Sequence, residues 1–479
     1  MKAVDRKTEI AGMLGGSFDI ESCTLKIGGG ELILMYLEGT TDKPLLTEQV
    51  LKPLKNADIS RLSIESIKKN LLLPFDITTE TNMKEAAERI AFGQVVMFLD
   101  GQKEFIIFAM RKVASRSVAE PPTSSVLKGP REGFTEDLRT NVSLLRKRLR
   151  TPDLRMNMIK TGRYTTTEII IAYIEGVADL KIVKKIEERI GAINIDGIID
   201  SSYVLKFLEE RSVSIFRQVG TSEKPDIVTA KMLEGRIAII VDGSPIVLTA
   251  PFIFLEDLQN SSDYYNRSAR ASMLRTIRLI GVFLAIILPA AYLAVLEFQY
   301  QIMPLKLTLT ILTSTAGTPL SPALEMFFVL ILFEIIAETG IRMPRYIGSA
   351  VALVGAIVLG DTAVKAGILS SPAVLITALS GLGLYLMPDE AGMFSILRIL
   401  FLGVAAFLGV YGLVISVVAL LAYLSSLNIY GAPYLAPVAP FISEDMKDFI
   451  PKDEMKSFGK RPKSIPNVNP TRMKTDGGQ

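Results

Sequence analysis

The scale of hydrophobic patterning changes near residue 260. Upstream, apolar residues come in short β-branched runs that end at glycine, alternating with charged stretches of helical spacing such as Leu180–Ile190. That alternation predicts strands and amphipathic helices of an α/β protein. Downstream, Leu279–Leu424 is a series of long apolar runs split by short turns, and only twelve Asp, Glu, Lys or Arg residues fall within it. The runs are Leu279–Leu296 (kinkable at Pro289), Pro322–Ala337, Ile347–Gly360, Pro372–Met387 and Ile399–Leu424. A helix needs about 20 apolar residues to cross a bilayer core, so several of these are candidate spans. The expected fold class is multidomain: a cytoplasmic α/β region of two similar subdomains followed by an α-helical polytopic membrane domain.

The two subdomains are read from a weak internal repeat. Glu31–Gly39 (ELILMYLEG) returns as Glu168–Gly176 (EIIIAYIEG), and Gly93–Gly101 (GQVVMFLDG) returns as Gly235–Gly243 (GRIAIIVDG). Each copy reads as strand, helix, helix, strand. Asp100-Gly101 and Asp242-Gly243 tempt a catalytic reading, but each lies between two strand-like runs, where Asp-Gly supplies the positive φ of a hairpin turn. Gly28-Gly29-Gly30 is read the same way, because no helix with a Lys follows it as a phosphate loop requires. The expected boundaries are an N-terminal tail at 1–14, subdomains at 15–115 and 156–258, a linker with a basic helix at 116–155, a transmembrane domain at 259–424 and a charged C-terminal tail at 425–479.

Composition then removes function classes. Basic and acidic residues number 53 and 50, which gives no reason to expect nucleic acid. With no His and a single cysteine, Cys23, the commonest general base is absent and no cysteine-based metal site can form within the chain. No catalytic, cofactor or metal residues are assigned, and an enzyme is the least expected class. The charged start Met1–Glu9 lacks the apolar core of a signal peptide. Arg267, Arg270, Arg275 and Arg278 before the first run place that side in the cytoplasm. Five spans would put the C-terminus outside, yet the tail is basic from Lys456 onward. Either Ile347–Gly360 is re-entrant or the hydroxyl-rich Leu305–Thr315 also enters the membrane.

Two features of this half go beyond solubility in lipid. Gly348, Ala352, Ala356 and Gly360 recur every four residues, a spacing that lets helices pack closely. Glu334 and Glu338 lie one turn apart within or beside an apolar run, and a carboxylate there needs a partner or water. They form either an ion path, lined further by Thr308, Thr310 and Thr313, or a structural clamp in which Glu338 pairs with Arg342. The threonines fit an external loop equally well.

Five segments resemble the A-subunit family of bacterial spore germination receptors. They are Gly129–Glu136 (GPREGFTE), Glu234–Pro245 (EGRIAIIVDGSP), Asp263–Arg267 (DYYNR), Arg342–Gly360 (RMPRYIGSA followed by VGAIVLG) and Tyr430–Pro440 (YGAPYLAPVAP). The resemblance implies a multi-pass protein of the spore inner membrane with its N-terminal domain in the spore core. It implies a transporter-like B subunit, a lipoprotein C subunit and further copies of the chain as partners in a nutrient-gated ion channel. Pro388-Asp389-Glu390 departs from the family pattern, so a sporulation-operon paralogue that amplifies germination stays open. A secondary transporter is the other alternative, although the repeat lies in the soluble half rather than among the spans.

Overall fold

The computed structural model describes residues 2–27, 30–56, 63–70, 77–111, 128–342 and 360–473. The chain separates into two units. One holds Met1–Phe252 with Ile429–Ala432 and Met455–Gln479, and the other holds Ile253–Asn428 with Pro433–Glu454.

Among the described residues, the first unit contains two five-stranded antiparallel sheets. One comprises β1 (Ile20–Ile27), β2 (Gly30–Leu37), β3 (Ile77–Glu80), β4 (Val95–Leu99) and β5 (Phe105–Phe108) in the order β1-β2-β4-β5-β3. The other comprises β6 (Leu154–Thr161), β7 (Thr167–Ile174), β8 (Gly220–Ser222), β9 (Ile237–Val241) and β10 (Val247–Ala250) in the order β6-β7-β9-β10-β8. The order is the same in both. The repeated segments supply the paired central strands β2 with β4 and β7 with β9. Each copy also carries a short strand that the pattern does not predict, β3 of four residues and β8 of three.

Strand periodicity places alternate residues of β4 in two cores. Val95, Met97 and Leu99 join one cluster, and Val96 and Phe98 join the other. A strand buried on both faces reads as a continuous apolar run, which is why VVMFL has no polar position. The turns after β4 and β9 carry Gly101 at φ +77° and Gly243 at φ +83°. The Asp100 carboxylate accepts from the backbone N–H of Ala3 at 2.6 Å and of Glu31 at 3.0 Å. Those two bonds hold its pKa below the ordinary aspartate value. Gly28 and Gly29 lie outside the described residues.

Three segments read as connectors are folded. Residues 1–14 were expected as a tail. Instead Ala3–Met13 is a helix whose Ala3 and Ile10 are buried in the same cluster as Ile90 and Phe98. The basic helix assigned to the linker is Leu138–Arg148. Its Leu138, Val142, Leu144 and Leu145 belong to the core of the second sheet. Its cations face protein: Arg146 makes two bonds to the buried Asp19, at 2.8 and 3.0 Å, and Lys147 and Arg148 pair with Glu132. The C-terminal tail is also built in. Val468 N–H donates to Val177 O at 2.9 Å, and Arg461 Nε donates to Leu233 O at 2.6 Å.

The second unit is helical. Ser268–Ile286 and Leu288–Phe298 meet at a 49° bend next to Pro289. Leu305–Thr315, Pro322–Arg342, Ser371–Tyr385 and Ala391–Ser426 follow, and residues 360–365 are helical. Among the described residues, one stretch, Pro388–Ser426, is long and apolar enough to cross a membrane, and a second is present if the bent pair is one span. Its outward side chains include Phe407 at 84% and Tyr411 at 77% exposure, which needs lipid or protein to cover it. Asp448, from the tail segment of this unit, accepts from Arg275 Nη1 at 2.9 Å and from Tyr264 Oη at 2.7 Å. Asp263, fully buried, accepts from Arg275 and Arg278.

Candidate functional site: a charged pair among apolar helices

Three apolar helices of the second unit bring polar side chains together. Arg398 lies two turns into Ala391–Ser426, and its side chain is 2% exposed. Its Nη2 donates to Glu334 Oε2 on Pro322–Arg342 at 2.8 Å. Its Nη1 donates to Ser380 Oγ on Ser371–Tyr385 at 3.2 Å, and Ser380 in turn donates to Ala285 O at 2.8 Å. The pair is lopsided, because Glu334 keeps 44% of its side chain exposed. Arg398 Nε is buried without a hydrogen-bond partner among the described residues. A guanidinium in such surroundings is tolerated only because a carboxylate and a hydroxyl receive it.

A second buried carboxylate sits at the other end of the same two helices. Glu325 is 1% exposed and accepts from the backbone N–H of Ser370, the N-cap of Ser371–Tyr385. Glu325 to Glu334 is nine positions, about 14 Å at 1.5 Å per residue. Ser370 and Ser380 keep the same sense along the adjacent helix, so the two helices run parallel. Between them the buried Thr377 Oγ1 has no hydrogen-bond partner among the described residues.

The residues singled out from sequence separate in the structure. Glu338 accepts from Arg342 Nε at 2.6 Å, with both side chains more than half exposed, and is not joined to the Arg398 cluster. The Thr308, Thr310 and Thr313 segment is a helix. Each hydroxyl donates to a carbonyl of its own turn or the one before it, as from Thr310 to Lys306 O at 2.9 Å and from Thr313 to Leu309 O at 2.9 Å. Such back-bonding uses the hydroxyl within the helix rather than toward a path. Gly348, Ala352 and Ala356 lie outside the described residues. At Gly360 an added Cβ would make ordinary contact with Val374 at 3.7 Å. Close packing is found instead at Gly383, where a Cβ would lie 2.5 Å from Gly281 O and 2.8 Å from Ala285 N.

Arg398, Ser380 and Glu325 were missed from sequence. A signal for Arg398 is present in the sequence: it is the sole basic residue between Lys365 and Lys447, and it immediately precedes the apolar run Ile399–Leu424. Glu325, three residues into its helix, reads as an edge acid; nothing in the pattern shows that Ser370 covers it.

The family described as Bacillus/Clostridium GerA spore germination protein matches residues 8–464. Spore germination protein KA of Bacillus subtilis is 34% identical over 470 residues, covering 97% of this chain and 86% of that protein. Spore germination protein A1 of the same organism is 31% identical, covering 92% of this chain and 90% of the relative. Among solved structures, the N-terminal domain of the A subunit of the Bacillus megaterium spore germinant receptor GerK3 matches at 29% identity and a TM-score of 0.43, covering 53% of this chain and 96% of that one.

Proposed function

The chain belongs to the Bacillus/Clostridium GerA family of spore germination proteins, and we propose that it is the membrane subunit of a germinant receptor acting as a nutrient-gated ion channel. In this reading it is a multi-pass protein of the spore inner membrane. Its partners are a transporter-like B subunit, a lipoprotein C subunit and further copies of itself. The observation that carries the channel reading is the Glu334–Arg398–Ser380 cluster. Three apolar helices hold a fixed charge pair whose carboxylate is still half exposed. A half-exposed carboxylate on each of several copies attracts cations into a shared path, and a bonded Arg398 mutes that field.

Topology supports the same picture. Met1–Phe252 and Met455–Gln479 belong to one unit, which supports the reading that both lie on the same side of the membrane. Four basic residues from Arg267 to Arg278 favour that side.

Current through planar bilayers containing the purified chain tests the proposal. Wild type should show a reversal potential displaced toward the cation gradient, and Glu334→Gln should reduce that displacement in protein that keeps its folded signal. Glu338→Gln, altering a surface pair, should leave selectivity unchanged. Absence of current, or unchanged selectivity in both variants, would leave a membrane scaffold in place of a channel.

A further inference from the structure

The first unit carries outward apolar side chains that its own core does not use. On the Ser201–Leu208 helix, Tyr203 and Phe207 stand one turn apart and are exposed by 42% and 43%. Ile199, just before the helix, is 71% exposed. The 162–166 loop is fastened beside it by bonds from Arg163 N–H to Ile195 O and from Tyr164 N–H to Asp196 O, and it presents Tyr164 at 74% exposure. Arg163 stacks over the Tyr164 ring at 5.4 Å. Of the charged side chains in these segments, Arg163, Lys206 and Arg211 are exposed against Asp196, while Asp200, Glu209 and Glu210 are half-buried.

A short stretch of chain joins the end of the longest apolar helix to Tyr430. Ala391–Ser426 ends four residues before Tyr430. Four residues reach at most about 14 Å. Tyr430 is 2% exposed, and its Oη donates to Leu208 O, at the end of the Ser201–Leu208 helix, at 2.6 Å. Lys185 and Arg189 cover its ring at 5.2 and 5.5 Å. Burial pushes the Tyr430 phenol up to about 12, so this anchor keeps its donor proton at all ordinary pH.

We propose that the face bearing Tyr164, Ile199, Tyr203 and Phe207 is a membrane-surface site that rests on anionic lipid headgroups. The inference builds on reading Ala391–Ser426 as a membrane span. Aromatic and aliphatic tips then enter the headgroup region, where amphipathic rings are favoured, and Arg163 and Lys206 meet lipid phosphates. The soluble unit is thereby seated on the bilayer as well as tethered to it.

The sequence contains no tryptophan, so a single introduced one is an unambiguous reporter. The full chain carrying Phe207→Trp is placed in nanodiscs of phosphatidylcholine, with or without phosphatidylglycerol, some of it brominated on the acyl chains. Tyr203→Trp serves if that variant does not fold. Blue-shifted emission quenched by shallow bromine, stronger with phosphatidylglycerol, is the expected result. Adding Lys206→Gln and Arg163→Gln should then weaken the anionic-lipid dependence about fivefold per cation. Leu408→Trp, outward on the long helix, is measured in parallel. If it is quenched and the Phe207→Trp reporter is not, the surface site is wrong while the span stands. If neither is quenched, the span reading fails and the surface site with it. Blue-shifted but unquenched emission at Phe207→Trp would mean that a protein, either a second copy or another subunit, covers this face, and would also overturn the proposal.

Discussion

Breaking the Glu334–Arg398 pair from its two ends should have unequal consequences, because burial is unequal. Arg398 has a 2% exposed side chain, whereas Glu334 is 44% exposed. Glu334→Leu strands a buried guanidinium that retains only the Ser380 hydroxyl, and an uncompensated buried charge costs about 3–5 kcal/mol. Glu334→Gln keeps an acceptor oxygen and should cost less, about 1.5–3 kcal/mol, the scale of one hydrogen bond to a charged group. Arg398→Met leaves a carboxylate that can still turn toward a polar phase, so its cost should fall below that of Glu334→Leu. The double variant Glu334→Leu/Arg398→Met replaces the pair by apolar groups, which is often near neutral. The assay is thermal unfolding of the full chain in nanodiscs for wild type, the three single variants and the double. A unit of this size loses about 2–4 °C per kcal/mol, so Glu334→Leu should fall by roughly 10 °C and the double should recover most of it. A double variant as unstable as Glu334→Leu, or a Glu334→Leu protein as stable as wild type, would refute the pair as a stability determinant.

Asp100 should make the first unit sensitive to acid. Its carboxylate is held below the ordinary value by the Ala3 and Glu31 N–H bonds, so its contribution is complete above about pH 4 and is lost as pH falls through the lower native value; Asp100→Asn should flatten the acid limb of a midpoint-versus-pH curve. Gly409 sits in the long helix at φ +58°, with Phe298 Cγ 2.8 Å from where a Cβ would lie. Gly409→Ala should therefore cost about 1–3 kcal/mol in thermal unfolding, and adding Phe298→Ala should relieve the clash while leaving the backbone strain.

What the sequence disclosed depended on how local each signal was. The paired strands β2/β4 and β7/β9 were legible because a run such as Val95–Leu99 meets core on both faces and so carries its whole signal in five residues. The edge strands β3 and β8, which pair with β5 and β10, were not, since strands of four and three residues contain no periodicity to read. The helix of Leu138–Arg148 was visible as a helix but misplaced. Its last turn is basic, and basic residues read as solvated unless the partner is known. Asp19, which accepts Arg146, is 127 residues away, and Glu132 is the only nearby clue.

The helical unit reverses the usual weight of evidence. In an apolar run the rare charges carry the information, and their meaning depends on what faces them. Glu334 and Glu338 look equivalent in sequence, one turn apart with Arg342 downstream. In three dimensions the nearby cation goes to Glu338 at the exposed end, and Glu334 receives Arg398 from a different helix, 64 positions on. A proximity rule along the chain therefore finds the Glu338–Arg342 pair and misses Arg398 as the partner of Glu334. The better rule for such a segment is to account for every charge before choosing a site. Arg398 must be buried in protein because it sits two turns into an otherwise apolar helix, and a buried arginine requires an acid on a neighbouring helix. Glu325 caps Ser370, and Glu338 already holds Arg342. Glu334 is the half-exposed acid that receives Arg398 from a neighbouring helix, which makes it the residue at which charge and partial exposure meet among these apolar helices.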